Sequence, residues 1–471
     1  MTDMRAQGRF SLHAFIALIS LAACTSQSPT RAPVIPPHAV VGVQEPQLKP
    51  EFWIARESNA HQVVLDARQI AEQNARLVQL DPSVHDLENF PPALAGSDVR
   101  SWIGKLSQHP DHKMYDDAGR ELERAVFDGL MHSVALEAVP ETQPTRYGLV
   151  VKRADLRTFP SPLRAFNSAD DRDIDRFQES ALFPGTPVVL AHESRDGNWW
   201  FVVSPLYAAW VEKRFVAEGA KEDVFAYTHK TPYLVVTGAT AKTVFTPARP
   251  EVSELQLDMG VRVPVLADWS SATPVNGQHP YTAHVIELPV RTVDGRLGFT
   301  PALLPRTADT SGDYLPLNRA NLLRQGFKFL GERYGWGHSY NARDCSGFVS
   351  EVYRSFGVQL PRNSRDQAQT PALNRITFTE DDDHERRLEV LRSLEVGDLI
   401  YIPGHVMMVI GFDHGMPYVI HDTTGISYRD GQGEVRRVVL NGVSVTPLTP
   451  LLFSRKDPTV DHITSILRVR P

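Results

Sequence analysis

The sequence predicts an α+β protein of several domains, with a helical N-terminal region, two small β-barrels and a C-terminal domain of mixed helices and strands. Three observations lead to this fold class. The 471 residues are too many for one hydrophobic core. The hydrophobic periodicity changes along the chain from helical spacing to short β runs, and helical and strand patterns then alternate towards the C-terminus.

Composition narrows the classes of function. An apolar content of 42% and a charged content of 22% are typical of a globular protein. The net charge of −7 is spread along the chain without a basic run, so nucleic acid is not an expected partner. No Cys/His spacing typical of zinc ligands is present, and there is no glycine-rich phosphate loop.

Residues 1–24 have the three parts of a secretory signal. Arg5 and Arg9 supply positive charge, and Phe10–Ala23 is a largely apolar run that is too short to span a membrane. Leu21-Ala-Ala-Cys24 closes the segment and resembles the bacterial lipoprotein processing box. That resemblance implies a lipid-modified Cys24 at the mature N-terminus; an ordinary signal peptide cut near Ala23 is the alternative.

The residues after Cys24 bear on location. Neither Thr25 nor Ser26 is the aspartate that, by resemblance to enteric bacteria, retains a lipoprotein at the inner membrane. We therefore expect a lipid-anchored protein on the periplasmic side of the cell envelope, with the outer membrane favoured. Residues 25–48 are rich in Ser, Pro, Thr and Gln, which predicts a flexible tether.

Residues 49–145 show helical periodicity. His61–Leu80 and Asp117–Val139 both carry apolar residues near 3.6-residue spacing. The region contains no cluster of catalytic residue types. We therefore predict a helical domain that stabilises the rest of the chain by packing against it.

Two consecutive segments of short β runs follow, over residues 146–222 and 223–308. Turn-rich pieces such as Arg195-Asp-Gly-Asn separate the runs, and this pattern predicts two small barrels. The runs begin at Leu149, Pro187, Trp199 and Ala209 in the first segment, and at Tyr233, Val261 and Arg296 in the second.

Residues 309–471 return to a mixed α/β pattern. Asn318–Leu330 reads as a helix, and a second amphipathic helix follows Cys345 and ends at Gly357. Cys345 is the only cysteine outside the leader, so it has no partner for an intramolecular disulfide there. At a helix N-terminus the dipole is expected to lower the pKa of a thiol, which indicates a nucleophile rather than an inert buried thiol.

A thiol nucleophile needs a base. His405 begins the apolar run Val406–Gly411, His421 ends the run that begins at Tyr418, and the turn between the runs predicts an antiparallel hairpin. The two histidines are then placed to face each other across the ladder. We predict His405 as the general base and His421 as the group that orients it.

Five motifs stand in order along this segment: Tyr334-Gly-Trp-Gly, Asp344-Cys-Ser-Gly-Phe, Leu360-Pro-Arg-Asn-Ser-Arg-Asp-Gln, Gly397-Asp-Leu-Ile and Gly404-His-Val. They resemble the NlpC family of cell-wall cysteine peptidases, which have papain-like α+β domains. The resemblance implies that Cys345 is the nucleophile, His405 the base and His421 the orienting residue, with Tyr334 beside the thiol helping to hold the oxyanion. His338 stands where the commoner pattern has glycine, close enough to Cys345 in sequence to line the cleft.

The run Asp196-Gly-Asn-Trp-Trp-Phe-Val-Val resembles bacterial SH3-like domains, and the second barrel resembles them less closely. Family members with such domains cleave γ-D-glutamyl–diamino acid bonds in murein stem peptides, and some require a free N-terminal L-alanine. By resemblance, Asp344 pairs with that amine and Ser364 lies in the same pocket. In the first barrel, Tyr207 is a candidate aromatic gate and Glu179 a candidate acidic contact. Such acyl transfer requires no metal or organic cofactor.

Two alternatives stay open at the level of sequence. One is an endopeptidase that acts on intact, glycan-attached murein, with the barrels as wall-binding modules. The other is a non-enzymatic envelope binding protein, against which the intact Cys345, His405 and His421 argue. The sequence leaves the oligomeric state open.

Overall fold

The computed structural model describes residues 41–430 and 432–470. The predicted signal peptide, the lipid-modified Cys24 and most of the predicted tether lie outside these residues. The described residues belong to one compact unit within residues 37–471. None of the helices among them is both long and apolar enough for a membrane span.

The end of the predicted tether is packed rather than flexible. A short 3₁₀ helix covers Glu45–Leu48, and the side chains of Val43 and Gln47 are buried. Gln47 donates to Asp413 at 2.8 Å, and the buried indole of Trp53 donates to the Gln47 carbonyl at 2.8 Å. The tether prediction is therefore wrong for these residues, because one large aromatic anchors the segment to the C-terminal domain.

The helical region has shorter helices than the periodicity predicts. Asp66 caps the second helix and accepts from the N–H of Gln69, so the helix begins at Ala67 instead of His61. Its elements are α1 (Pro50–Ile54), β1 (Val63–Leu65), α2 (Ala67–Leu80), β2 (Ala93–Ala95), α3 (Gly96–Leu106), α4 (Arg124–Ser133) and β3 (Thr142–Pro144). Of the helix predicted over Asp117–Val139, only the part that forms α4 is an α-helix.

This region shares its cores with the other domains. Trp53, Leu65 and Ile70 belong to the core of the C-terminal domain, whereas Val99 and Phe127 belong to the core of the first barrel. The predicted packing role agrees with this arrangement, since each half of the region covers a different neighbour.

The first barrel is a single antiparallel sheet of seven strands. In sheet order the strands are β10 (Val216–Gly219), β4 (Arg146–Val150), β7 (Pro187–Glu193), β8 (Trp199–Val203), β9 (Ala208–Glu212), β5 (Ala154–Arg157) and β6 (Gln178–Leu182). Phe201 and Trp210 are fully buried at its centre with their rings edge to face. The strands predicted here are confirmed.

The second β segment forms three small sheets around its own core, where the sequence predicts one barrel. Its elements are α5 (Lys221–His229), β11 (Tyr233–Val236), β12 (Thr240–Lys242), β13 (Gln256–Asp258), β14 (Arg262–Pro264), β15 (Ala283–Arg291), β16 (Leu297–Pro305) and β17 (Thr310–Ser311). The sheets are β14-β11-β17, β12-β13 and β15-β16. Val236, Leu257 and Ile286 are fully buried between them.

The C-terminal domain packs helices on one large antiparallel sheet. Its helices are α6 (Arg319–Phe327), α7 (Cys345–Arg354), α8 (Ser364–Gln369) and α9 (His384–Leu391). Its strands are β18 (Leu317–Asn318), β19 (Asn374–Thr377), β20 (Leu399–Ile402), β21 (His405–Asp413), β22 (Met416–Arg429), β23 (Val435–Pro447), β24 (Leu451–Leu452) and β25 (Ser465–Arg468). The sheet order is β19-β25-β20-β21-β22-β23, with β24 beside β22. The apolar face of α7 packs on β21 and β22.

Candidate active site

Cys345 is the first residue of α7, and its thiol is buried. Asp344 caps the helix, because its Oδ1 accepts from the N–H of Gly347 at 2.8 Å. Phe348, Val349 and Val352 are fully buried against the sheet and fix the helix in place. The thiol is therefore held at a rigid position, with the unpaired N–H groups of the first helical turn around it.

The environment of the thiol corrects the expected direction of its pKa. Burial, followed by the neighbouring Asp344 carboxylate, raises the pKa of Cys345 to about 12. A hydrogen bond from the backbone N–H of Val406 lowers the pKa but does not outweigh these two effects. The prediction of a depressed thiol pKa is wrong for this structure, because desolvation and a like charge exceed the helix dipole. The resting thiol is protonated and needs a base.

The predicted hairpin is confirmed, since β21 and β22 pair antiparallel around the turn at His414–Gly415. Its register pairs Met408 with Ile420, so His405 and His421 are not directly opposite each other, contrary to the prediction, because the register shifts between Val409 and Gly411. His405 Nε2 lies 2.8 Å from His421 Nδ1, and His421 Nε2 lies 3.0 Å from the hydroxyl oxygen of Thr446. His421 and Thr446 are buried. The three side chains form one hydrogen-bonded row.

The direction of protons in this row follows from the chemistry. If His405 accepts the thiol proton on Nδ1, its Nε2–H must donate to His421 Nδ1. His421 then carries its proton on Nε2 and donates to Thr446. The Thr446 hydroxyl is able to accept from His421 Nε2–H, so the row is compatible with His405 acting as a base, and no sequence motif points to Thr446.

Both histidines are neutral. Burial lowers the pKa of His405 to about 4. Burial, followed by the charge that His405 carries when protonated, lowers the pKa of His421 well below its usual value. General-base catalysis requires a neutral imidazole and a protonated thiol, and the backbone N–H of Val406, the residue after His405, donates to Cys345.

Tyr334 lies near the thiol and lines a cavity that it shares with His405 and His421. Its backbone N–H donates to the Asn441 carbonyl at 3.0 Å, which fixes it to the edge of β23. Burial, followed by the Cys345 thiolate charge, raises the pKa of its hydroxyl. Tyr334 therefore remains a hydrogen-bond donor over the pH range in which the thiol reacts.

Five donors surround the Asp344 carboxylate. Oδ1 accepts from Gly347 N–H at 2.8 Å, from the Ser346 hydroxyl at 3.2 Å and from Arg362 Nη1 at 3.2 Å. Oδ2 accepts from Gly337 N–H at 3.0 Å and from Arg362 Nη2 at 2.7 Å. A carboxylate offers about four lone-pair sites, so none is left for an ammonium. The geometry gives Asp344 a capping role in place of the amine contact that the resemblance implies.

The guanidinium of Arg362 ties the catalytic helix to the first barrel. Besides Asp344, its Nη1 donates to the Ser346 hydroxyl at 2.9 Å, and its Nε donates to the Ser180 hydroxyl of β6 at 2.6 Å. Burial opposes the charge of Asp344, but Arg362 outweighs it and lowers the pKa of Asp344 to about 2. The sequence motif contains Arg362, but its contact with a residue 182 positions away is visible only in the fold.

Glu179 and Tyr207 of the barrel meet beside Arg362. The Tyr207 hydroxyl donates to Glu179 Oε2 at 2.5 Å, and the Thr158 hydroxyl donates to Glu179 Oε1 at 2.5 Å. Burial, followed by the Glu179 charge, raises the pKa of Tyr207, while the nearby Arg362 lowers it. Glu179 and Tyr207 are both half-buried. The structure thus brings the two candidate barrel residues together next to the catalytic helix.

Ser364 begins α8, directly after Arg362 and Asn363 in the chain, and is half-buried. Among the described residues, its hydroxyl makes no hydrogen bond to another candidate site residue. The structure therefore does not join Ser364 to the cluster around Arg362.

Family models match two parts of the chain. The model described as NlpC/P60 family matches residues 331–442, and the model described as SH3 domain (SH3b1 type) matches residues 164–212. Residues 331–442 form an NlpC/P60 domain. The NlpC/P60 family is a cysteine peptidase family, and the site described above lies in this domain, except Thr446 just beyond it and the barrel residues.

Two known proteins are similar to the chain. A solved NlpC/P60 endopeptidase from Photobacterium damselae subsp. piscicida covers 87% of this chain and 95% of its own, with a TM-score of 0.69 and 17% identity. A γ-D-glutamyl-L-lysine dipeptidyl-peptidase from Bacillus cereus is 28% identical over 218 residues, which is 44% of this chain. The match spans about half of that curated relative, 54% of its length. The first likeness supports the fold, since it extends beyond the NlpC/P60 domain to 87% of this chain.

His338 of the NlpC/P60 domain is buried and is absent from the described lining of the active-site cavity. Its Nδ1 accepts from Arg362 Nη2 at 3.0 Å, and its Nε2 lies 3.3 Å from Glu351 Oε1. Burial, followed by the Arg362 charge, lowers the pKa of His338. The expectation that His338 lines the cleft is wrong, because it is used as a neutral spacer between Arg362 and Glu351.

Asp422 follows His421 in β22, so its side chain points to the opposite face of the sheet. It is fully buried, and among the described residues neither carboxyl oxygen has a hydrogen-bond partner. Burial, followed by the Asp344 charge, raises the pKa of Asp422 well above its usual value of 3.8. Burial thus favours the protonated form of Asp422, and the charge of its ionised form would in turn raise the pKa of the Cys345 thiol.

Proposed function

We propose that this protein is a cysteine endopeptidase that cleaves the γ-D-Glu–diaminopimelate bond of murein stem peptides, preferring peptides with a free N-terminal L-alanine. The observation that carries the proposal is the presence of two groups of residues: the Cys345 thiol with the His405–His421 pair, where the thiol accepts from the backbone N–H of Val406 next to His405, and the acidic Glu179–Tyr207 pair. The first supplies acyl transfer, and the second supplies a partner for an ammonium close to the scissile bond.

The reaction proceeds by acyl transfer. His405 Nδ1 takes the proton of the Cys345 thiol as sulfur attacks the γ-carbonyl carbon, and a C–S bond forms. The Cys345 backbone N–H and the Tyr334 hydroxyl donate to the oxyanion. His405 then returns the proton to the departing amine as the C–N bond breaks. Water, deprotonated by His405, hydrolyses the thioester and regenerates the thiol.

Glu179 is the residue that selects the free amine in this proposal. Each of its oxygens accepts one hydroxyl donor and keeps a further lone pair, whereas Asp344 has none to spare. An ammonium bound there pairs with a half-buried carboxylate. An N-acylated stem has no ammonium, so Glu179 would lose its hydration on binding without gaining a cationic partner. This cost disfavours the glycan-attached substrate. The name of the Bacillus cereus relative, a γ-D-glutamyl-L-lysine dipeptidyl-peptidase, supports cleavage after γ-D-glutamate at a diamino acid.

The test uses two matched substrates and the full chain. Free L-Ala-γ-D-Glu-diaminopimelate and the same stem on N-acetylmuramic acid are incubated with wild type and with Cys345→Ala, and products are read by mass spectrometry. We expect release of L-Ala-γ-D-Glu from the free peptide alone, and none with the variant. Equal cleavage of both substrates would contradict the amine preference and favour action on intact murein. Cleavage of neither would contradict the activity itself.

We also propose that the protein is anchored to the envelope through lipid on Cys24, on the strength of Leu21-Ala-Ala-Cys24. Metabolic labelling with an alkyne fatty acid in a bacterial host tests this proposal. We expect label on the wild-type chain and none on Cys24→Ser; equal labelling of both would contradict it.

A further inference from the structure

The hairpin of β22 and β23 forms one wall of the active-site cavity. The cavity measures about 1200 Å³ and includes Tyr334, His405 and His421. Three cross-strand pairs share one face of this hairpin, and all six residues line the cavity. The pairs are Gly425 with Val439, Ser427 with Arg437, and Arg429 with Val435.

This wall is positively charged. Arg429, Arg437 and the nearby Arg455, which follows β24, all line the cavity and are exposed, and Glu434 is the acidic residue among the described lining. Within residues 41–430 and 432–470, none of the three arginines makes an ion pair with a carboxylate. Arg429 does donate from Nη1 to the Gly433 carbonyl at 3.1 Å.

Arg436, the neighbour of Arg437 in the chain, differs from the three cavity arginines because it makes an ion pair. Arg436 lies on the same strand as Arg437, but it is absent from the described cavity lining. Its Nε donates to Asp430 Oδ2 at 2.7 Å. Two adjacent arginines of one strand therefore differ, because Arg436 is paired with Asp430, whereas Arg437 lines the cavity without an ion-pair partner among the described residues.

The cavity wall combines these charges with apolar surface. Val439 is 79% exposed and Phe453 is 42% exposed, and both line the cavity with the arginines. A ligand with an aliphatic stem that ends in a carboxylate matches such a wall, because valine and phenylalanine contact methylene groups and guanidinium binds carboxylate bidentately.

The wall lies on the leaving-group side of the reaction. The base His405 lines this cavity, whereas Glu179, to which the proposed function assigns the free amine of the acyl part, lies with Tyr207 on the first barrel. The base must reach the departing amine, so the group that carries this amine enters the cavity.

We infer that Arg437 and Arg455, with Arg429 beside them, form a carboxylate-binding subsite for the leaving group. This inference rests on the proposed function and names its specificity. The far end of the diaminopimelate side chain carries a carboxylate as well as an ammonium, whereas lysine has only the ammonium there. The subsite therefore favours diaminopimelate over lysine. The substrate has a second carboxylate, on the carbon that carries the scissile amine, and the same arginines fit this group too.

Three synthetic tripeptides distinguish the sources. They are L-Ala-γ-D-Glu-diaminopimelate, the same peptide with the far carboxyl amidated, and the same peptide with the carboxyl beside the scissile amine amidated. For wild type we expect far amidation to lower kcat/KM about fivefold, the effect of a solvent-exposed charged hydrogen bond. A loss on amidation of the near carboxyl instead would assign the subsite to that group.

Variants test the residues. In Arg437→Ala/Arg455→Ala we expect the acid and amide peptides to be cleaved at equal rates, whereas Arg436→Ala keeps the wild-type ratio. Arg437→Glu should shift the preference towards the lysine peptide. Equal cleavage of all three peptides by wild type, or an unchanged ratio in the double variant, would overturn the subsite. If wild type cleaves no tripeptide, the proposed function fails as well, which is a separate result.

Discussion

The arginines on the two sides of the active site are paired differently. We call the side formed by the first barrel the barrel wall, and the side formed by the β22–β23 hairpin the hairpin wall. On the barrel side, Arg362 is buried and fully hydrogen-bonded to Asp344, Ser346 and Ser180. On the hairpin side, Arg437 and Arg455 are exposed and have no ion-pair partner among the described residues. Buried, paired charges fix geometry and are costly to break, whereas exposed ones act weakly and are screened by salt. Changes to the barrel wall should therefore have the larger effects.

We expect the largest effect, a loss of stability, for the substitution Arg362→Met. This change leaves the buried Asp344 carboxylate without its cation and should lower the free energy of unfolding by about 3–5 kcal/mol. Urea denaturation followed by circular dichroism measures it. The control is Arg365→Met, because Arg365 is exposed on the same short segment. Equal stability of the two variants would contradict a buried pairing role for Arg362.

The second prediction concerns the thiol. Because burial and Asp344 raise the pKa of Cys345 to about 12, the thiolate fraction should rise about tenfold per pH unit below that value. The rate of alkylation by iodoacetamide should therefore increase about 100-fold between pH 7 and pH 9. A plateau over this range would indicate a resting thiolate–imidazolium pair and contradict the neutral pair.

The catalytic residues and their framework differ in how far sequence predicts them. Cys345, His405 and His421 lie in local patterns, a helix start and a hairpin, so their spacing carries the information. Thr446 and the partners of Arg362 depend on contacts between distant segments, and no local pattern encodes these. The same holds for the second β segment, whose strands are locally evident but pair into three sheets instead of one.

Two errors have a local physical cause. Periodicity over Asp117–Val139 imitates a longer helix, but Gly119 adopts a left-handed φ of 77° in a turn before α4. The end of the predicted tether has tether-like composition, yet Trp53 and Gln47 bind it to the C-terminal domain. A single aromatic anchor outweighs the average composition of a short segment.

The third prediction concerns Thr446→Val. Valine cannot accept from His421 Nε2–H, so the tautomer in which His405 acts as a base is left with a buried, unpaired N–H. We expect kcat to fall about tenfold with KM unchanged, the size of effect typical of partners that orient a catalytic histidine. Thr446→Ser should restore kcat, because it keeps the hydroxyl. A matched loss in the serine variant would indicate a packing role instead.

The smallest effect is expected for Asp422→Asn. The pKa of Asp422 is raised in the folded protein, so its stabilising contribution is fully present below the unfolded pKa, near 3.8, and is lost as pH rises through the folded value. The variant removes this pH-dependent penalty. It should be about 1 kcal/mol more stable than wild type near pH 7, and the difference should shrink towards pH 4. Thermal unfolding at both pH values measures it, and a stability gain of equal size at both would contradict the buried-acid account.

The most direct test of the amine-selecting barrel wall compares two substrates across three proteins. The ratio of kcat/KM for L-Ala-γ-D-Glu-diaminopimelate to that for its N-acetyl form is measured with wild type, Glu179→Gln and the control Glu193→Gln, which lies on β7 of the same barrel. The account predicts a ratio of about 100 or more for wild type and the control, because a charged partner is lost on acetylation. It predicts a ratio within a few-fold of one for Glu179→Gln. A high ratio that survives in Glu179→Gln, or a ratio near one in wild type, would contradict it.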